Sequence, residues 1–126
     1  MWLLQEGETV KYLDLIKSKL ILKDGELDSI KEDIEYVNSV LKKYNIVFDD
    51  IFAITFYNHI IKFIERVKTR KFVDTIEKDM VSDLTEYSIG IGTEMLKEIF
   101  RRYESKINMS EIYLVSIHIQ VAMSTK

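Results

Sequence analysis

The chain has no cysteine and no proline, and only four glycines and two histidines, in 126 residues. The absence of cysteine excludes disulfides, thiol catalysis and cysteine-ligated metals, and it fits a reducing cytoplasm. The absence of proline and the scarcity of glycine leave almost the whole backbone free to be helical. We therefore expect helices to dominate the fold.

Strong charge of one sign and long apolar runs are also lacking. The net charge is −3, which argues against a domain that binds a nucleic-acid backbone directly. Uncharged runs such as Ile51–Ile61 are much shorter than a bilayer span, and we do not expect the N-terminal residues to form a signal sequence. We expect a soluble cytoplasmic protein with neither nucleic acid nor membrane as a direct partner.

Apolar residues recur at spacings of three and four along most of the chain, which is typical of amphipathic helices. Asn45 is expected to end one helix, and Asp49 and Ser110 are candidate N-caps of later helices. The first four predicted helices are Thr9–Leu22, Leu27–Tyr44, Asp50–Lys68 and a less regular Asp74–Thr85. The fifth contains Thr93–Phe100, and Tyr87–Gly92 is either helical or the entry to it. The last runs from Asn108 or Ser110 to Met123.

This pattern predicts an all-α fold, a compact antiparallel bundle of about five to six helices. No linker, low-complexity tract or repeat divides the sequence, so we expect one domain over residues 1–126.

The two histidines, His59 and His118, are the candidates for chemistry, because an imidazole nitrogen can act as a base or accept a phosphoryl group. Taken singly, each is more simply explained as a structural residue at the edge of the core. Neither has a second histidine or a carboxylate at a compact ligand spacing, so we expect no metal and no cofactor.

Two further features have a structural and a functional interpretation. Arg66, Lys68, Arg70 and Lys71 form a basic cluster that is either a solvated helix end or a set of cations for a phosphate or an acidic partner. Gly90-Ile91-Gly92 lacks the rest of a phosphate loop and more simply marks a helix junction or close helix packing.

Two motifs taken together resemble the PTS regulation domain (PRD), a helical module of bacterial antiterminators and activators. The first motif is Phe56–Arg66, in which His-Ile is followed by Glu-Arg. The second is Ser110–Ala122, in which Glu111 precedes His-Ile and a small residue. The histidines are 59 residues apart, close to the spacing in that family. The resemblance covers about residues 27–123, and the helix at 9–22 would complete a short protein with a single such domain.

The resemblance implies a non-enzymatic regulatory domain of the sugar phosphotransferase system that acts in transcriptional control. His59 and His118 would accept phosphate, from the phosphocarrier protein HPr or from an enzyme II component. Arg66 is the nearest cation to support that phosphate, and Glu111, in the second motif, is a further residue expected to support the phosphate or a partner. Asn58 stands where the family often has aspartate, so it can orient His59 without adding charge.

The resemblance also implies a homodimer whose packing changes on phosphorylation, and a separate regulatory partner protein. The alternative function is that of a degenerate helical scaffold or adaptor whose histidines are structural.

Overall fold

The computed structural model describes residues 26–72 and 78–124. The helices of this part are α1 (Glu26–Lys43), α2 (Asp50–Thr69), α3 (Lys78–Val81), α4 (Glu86–Arg102) and α5 (Met109–Ser124). The prediction of an all-α fold is confirmed. The predicted helix Thr9–Leu22 and the turn after it lie outside the described residues.

Within the described residues there are four full helices, and not the five to six predicted, because the described part of the predicted helix Asp74–Thr85 contains only the four-residue α3. Ser82–Thr85, which the sequence placed in the helix Asp74–Thr85, is not helical. Thr85 has an extended backbone and accepts a hydrogen bond from the Ser88 amide through its side chain. As the N-cap of α4, it cannot also be inside a preceding helix.

Local side-chain chemistry explains most helix ends. Asp49 caps α2 by accepting the Phe52 amide at 2.7 Å, as predicted. Asn45 follows α1 with a positive φ of 56°, the left-handed conformation that commonly ends a helix, also as predicted. At the start of α5, Asn108 accepts the Glu111 amide at 3.2 Å, so the cap is Asn108 and not Ser110.

The chain divides into two compact units, residues 1–61 and 62–126, and α2 contributes to both. In the first unit, α1 buries an apolar face through Ile34 and Val37, which are fully buried. Phe48 and Phe56 are in ring contact at 4.6 Å between centroids, and the Tyr57 hydroxyl donates to Asn38. The first half of α2 therefore forms its core with α1 and with the loop between them.

In the second unit, α4 and α5 pack in antiparallel directions. The Thr85 amide, before α4, donates to Gln120 near the end of α5 at 2.8 Å, and the Gln120 amide donates to the Asp83 carbonyl at 2.8 Å. From the last part of α2, Phe63 meets Phe100 of α4 edge-on, with 5.3 Å between centroids. These contacts fix the helix that carries His118.

Gly92 lies where α4 passes close to α5. A Cβ at this position would overlap the Ser116 hydroxyl and approach the Val115 side chain and the Ile112 carbonyl, whereas a Cβ on Gly90 would meet nothing within 4 Å. The interpretation of Gly90-Ile91-Gly92 as close helix packing is therefore confirmed at Gly92. No helix in the described ranges is long and apolar enough to cross a membrane.

Candidate functional site

His118 lies in the middle of α5 with its ring half-buried. Its Nδ1 atom is 3.0 Å from the main-chain carbonyl oxygen of Leu114, one helical turn earlier. Side chains in a helix lean toward its N-terminus, which brings the ring over that turn. A carbonyl oxygen only accepts hydrogen bonds, so the contact is a hydrogen bond when Nδ1 carries a proton.

His118 lies on α5 at the edge of the face that the core buries. The core face of α5 is buried in the second unit. After Glu111, its buried residues are Ile112, Val115, Ser116, Ile119 and Ala122. The other face has Leu114 and Ile117, both half-buried, and Val121, which is 42% exposed. His118 lies among these residues at the i, i+3, i+4 and i+7 positions of one helical stripe. The imidazole is therefore set in an apolar surface that is only partly covered.

Arg66 and Glu111 form a two-pronged ion pair between the end of α2 and the start of α5. Arg66 Nε and Nη2 lie 2.7 and 2.8 Å from the two carboxylate oxygens of Glu111. The Glu111 side chain is 0% exposed and that of Arg66 is 22% exposed. Each carboxylate oxygen receives a charge-assisted hydrogen bond, which offsets part of the cost of burying the charge.

The structure thus brings together two of the predicted site residues. Arg66 and Glu111 were both expected to support a phosphate or a partner, but they were not predicted to pair with each other. Their separation of 45 residues gives no periodic signal. Two oppositely charged residues on predicted core-facing helix positions are the one sign that could have suggested the pair.

Two other cations of the basic cluster, Lys68 and Arg70, contact the end of α4. Arg70 donates to the carbonyls of Tyr103 and Glu104, at 2.9 and 3.1 Å. Lys68 lies over the Tyr103 ring, with its nitrogen 5.6 Å from the centroid. A positive group at a helix C-terminus satisfies carbonyls and complements the helix dipole. The contacts of Lys68 and Arg70 therefore support the structural interpretation of the basic cluster, in which its cations stabilise a helix end.

His59 lies on α2 in the first unit and is also half-buried, but its Nε2 atom is shielded from solvent. Asn58 next to it is exposed. Within residues 26–72 and 78–124, no group of three or more histidine, aspartate or glutamate side chains could hold a metal ion.

The clearest electrostatic perturbation lies away from both histidines. Hydrogen bonds from Arg101 and then Arg102 lower the pKa of Glu98 to about 2. The three side chains lie on an exposed part of α4, so this is a surface ion-pair cluster.

Comparison with known proteins gives one family and one solved structure. The family model of the PRD domain matches residues 34–122. The crystal structure of a PRD-containing transcription regulator from Lactobacillus casei ATCC 334 is similar in fold, with a TM-score of 0.63 and 20% identity. The match covers 86% of this chain and 100% of that one. A search of curated proteins found no match.

Proposed function

The chain belongs to the PRD domain family, and on this premise we propose that it is a non-enzymatic regulatory domain that accepts a phosphoryl group on His118. The observation that supports the proposal best is the position of His118. Its ring is half-exposed on a helix that the Arg66–Glu111 pair and the Gln120 contacts hold in place. A fixed, accessible nucleophile is what group transfer from a partner protein requires.

HPr or an enzyme II component of the sugar phosphotransferase system is the proposed donor, and the proposed setting is cytoplasmic transcriptional control. The structural relative is itself a PRD-containing transcription regulator, which supports this setting. The output would pass through a homodimer or through a separate regulatory protein.

His59 is proposed as the slower acceptor. Its Nε2 atom is shielded from solvent, and the exposed Asn58 supplies no negative charge to raise the basicity of the ring. Phosphate on Nε2 of His59 would therefore need the ring to move first. We propose that Asn58 acts by orienting this ring.

We propose that Arg66 and Glu111 support the site by fixing the start of α5. If Arg66 left Glu111 for a phosphate, a fully buried carboxylate would lose its cation, which costs several kcal/mol. This cost favours a supporting role over direct phosphate binding.

The effect of phosphorylation follows from the apolar surface around His118. The oxygens of a phosphoryl group carry about 1.5 to 2 negative charges at neutral pH. Placed beside Leu114, Ile117 and Val121, that charge opposes burial of the same surface against a second copy of the chain. We therefore propose that phosphate weakens a dimer formed through this face of α5.

The test uses the full-length protein with phosphoenolpyruvate, the general PTS phosphotransferase and HPr. Intact mass spectrometry should show one phosphoryl group gained early, which His118→Gln removes and His59→Gln retains. A PRD known to be phosphorylated under the same conditions is the control. The proposal fails if that control gains phosphate and this protein does not.

A scaffold or adaptor with structural histidines is the second candidate, and the shielded Nε2 atom of His59 favours it. In that case the double variant His59→Gln/His118→Gln would keep the oligomeric state and partner binding of the wild type. Phosphoenolpyruvate and HPr would change neither property.

A further inference from the structure

We infer that His118 takes its phosphoryl group on Nε2 and that the main-chain carbonyl of Leu114 determines this choice. The inference deepens the proposed function, on which it rests, by naming the reacting atom and the group that positions it. The 3.0 Å contact between Nδ1 of His118 and the Leu114 oxygen is the observation that carries it.

The tautomer follows from that contact. The Leu114 oxygen has lone pairs and no proton, so a short approach by Nδ1 is favourable only when Nδ1 bears hydrogen. A neutral imidazole has one ring proton, and placing it on Nδ1 leaves the lone pair on Nε2. A free histidine side chain in water prefers the opposite tautomer, so the helix changes which nitrogen is nucleophilic.

The positioning group is part of the helical backbone. Leu114 lies one turn before His118, and its carbonyl is fixed by the regular geometry of α5. The ring therefore cannot turn Nδ1 toward a donor without breaking this hydrogen bond. Because the positioning atom belongs to the main chain, a change of the Leu114 side chain would leave it in place.

The transfer balances without any further reactant. The Nε2 lone pair forms a bond to the phosphorus of a donor in which phosphorus is bonded to nitrogen. The donor's own phosphorus–nitrogen bond breaks, and its electron pair stays on the leaving nitrogen. With phosphoramidate, the leaving group is ammonia. Nδ1 keeps its proton and its contact with Leu114, so the phosphorylated ring is an imidazolium.

The experiment uses the full chain labelled with nitrogen-15 at histidine, with His118→Gln to assign the two sets of ring signals. Before any reaction, the nitrogen shifts of neutral His118 should show a protonated Nδ1 and an unprotonated Nε2. Treatment with potassium phosphoramidate should then give phosphorus coupled to Nε2 of His118 from the earliest time points.

Three results would overturn the inference. They are a neutral His118 with its proton on Nε2, phosphate on Nδ1, and no product on His118 while Nα-acetylhistidine reacts under the same conditions. If HPr fails to phosphorylate the protein while phosphoramidate modifies Nε2, the proposed function fails and the inference stands.

Discussion

His118 and His59 lie in similar sequence settings, each followed by isoleucine on an amphipathic helix, but their surroundings differ. His118 has Nδ1 bonded to a turn of its own helix, and its neighbours are partly exposed apolar residues. His59 has its Nε2 atom shielded from solvent in a unit whose core is dense with aromatic rings. The comparison shows that the same dipeptide can have different surroundings, because neighbouring packing decides whether a given ring nitrogen reaches solvent.

The largest expected difference between the two histidines is their reactivity toward diethyl pyrocarbonate at neutral pH. The reagent attacks an unprotonated, accessible ring nitrogen, so His118 should be modified to completion before His59 reacts measurably. Peptide mass spectrometry over time would measure both. In denaturant the two rates should become equal. Faster modification of His59 in the native protein would reverse the comparison.

The Arg66–Glu111 pair should account for much of the stability of the His118 region. Arg66→Ala leaves the fully buried Glu111 carboxylate without its cation, so we expect a loss of about 3 kcal/mol in the free energy of unfolding. Urea denaturation would measure the loss. Arg101→Ala is the matched control, because its ion pair with Glu98 is exposed, and it should leave stability unchanged. Equal effects of the two substitutions would contradict the supporting role of Arg66.

Gly92→Ala should separate α4 from α5 and so disturb the helix of His118. The added Cβ overlaps the Ser116 hydroxyl, and we expect a destabilisation of about 1–3 kcal/mol. Gly90→Ala, two residues away in the same helix with open space, should instead stabilise by up to about 1 kcal/mol. Thermal unfolding of both variants tests the contrast, and Ser116→Ala should partly restore Gly92→Ala.

The smallest effect concerns the surface cluster on α4. The pKa of Glu98 is lowered to about 2, so its ion pairs with Arg101 and Arg102 stabilise the protein above the ordinary carboxyl pKa and lose that effect as pH falls through about 2. Because the cluster is exposed and screened by solvent, Glu98→Gln should lower stability only slightly at neutral pH, and neither histidine should alter its reactivity. An NMR titration of the Glu98 carboxyl would check the pKa, and a midpoint near the ordinary value would contradict the cluster.

The sequence predicted some elements closely and others wrongly, for identifiable reasons. The bounds predicted for the second, third and last helices agree with α1, α2 and α5 to about one residue at most ends, because apolar periodicity and local caps such as Asp49 fix them. The predicted helix Asp74–Thr85 was wrong at its end, because a single threonine can cap the next helix or continue the previous one. The choice of Ser110 over Asn108 failed for the same reason, since both residue types cap well.

The sequence by itself determined that the described chain is helical and that His59 and His118 are its candidates for chemistry. Those conclusions need only propensity, periodicity and motif spacing, which are local properties. The Arg66–Glu111 pair, the contact of Gly92 with α5 and the shielding of His59 Nε2 were decided by the tertiary structure alone. The first two depend on atoms that are far apart in the sequence, and the third depends on the solvent exposure of a single atom. Such properties are set only when the helices pack together.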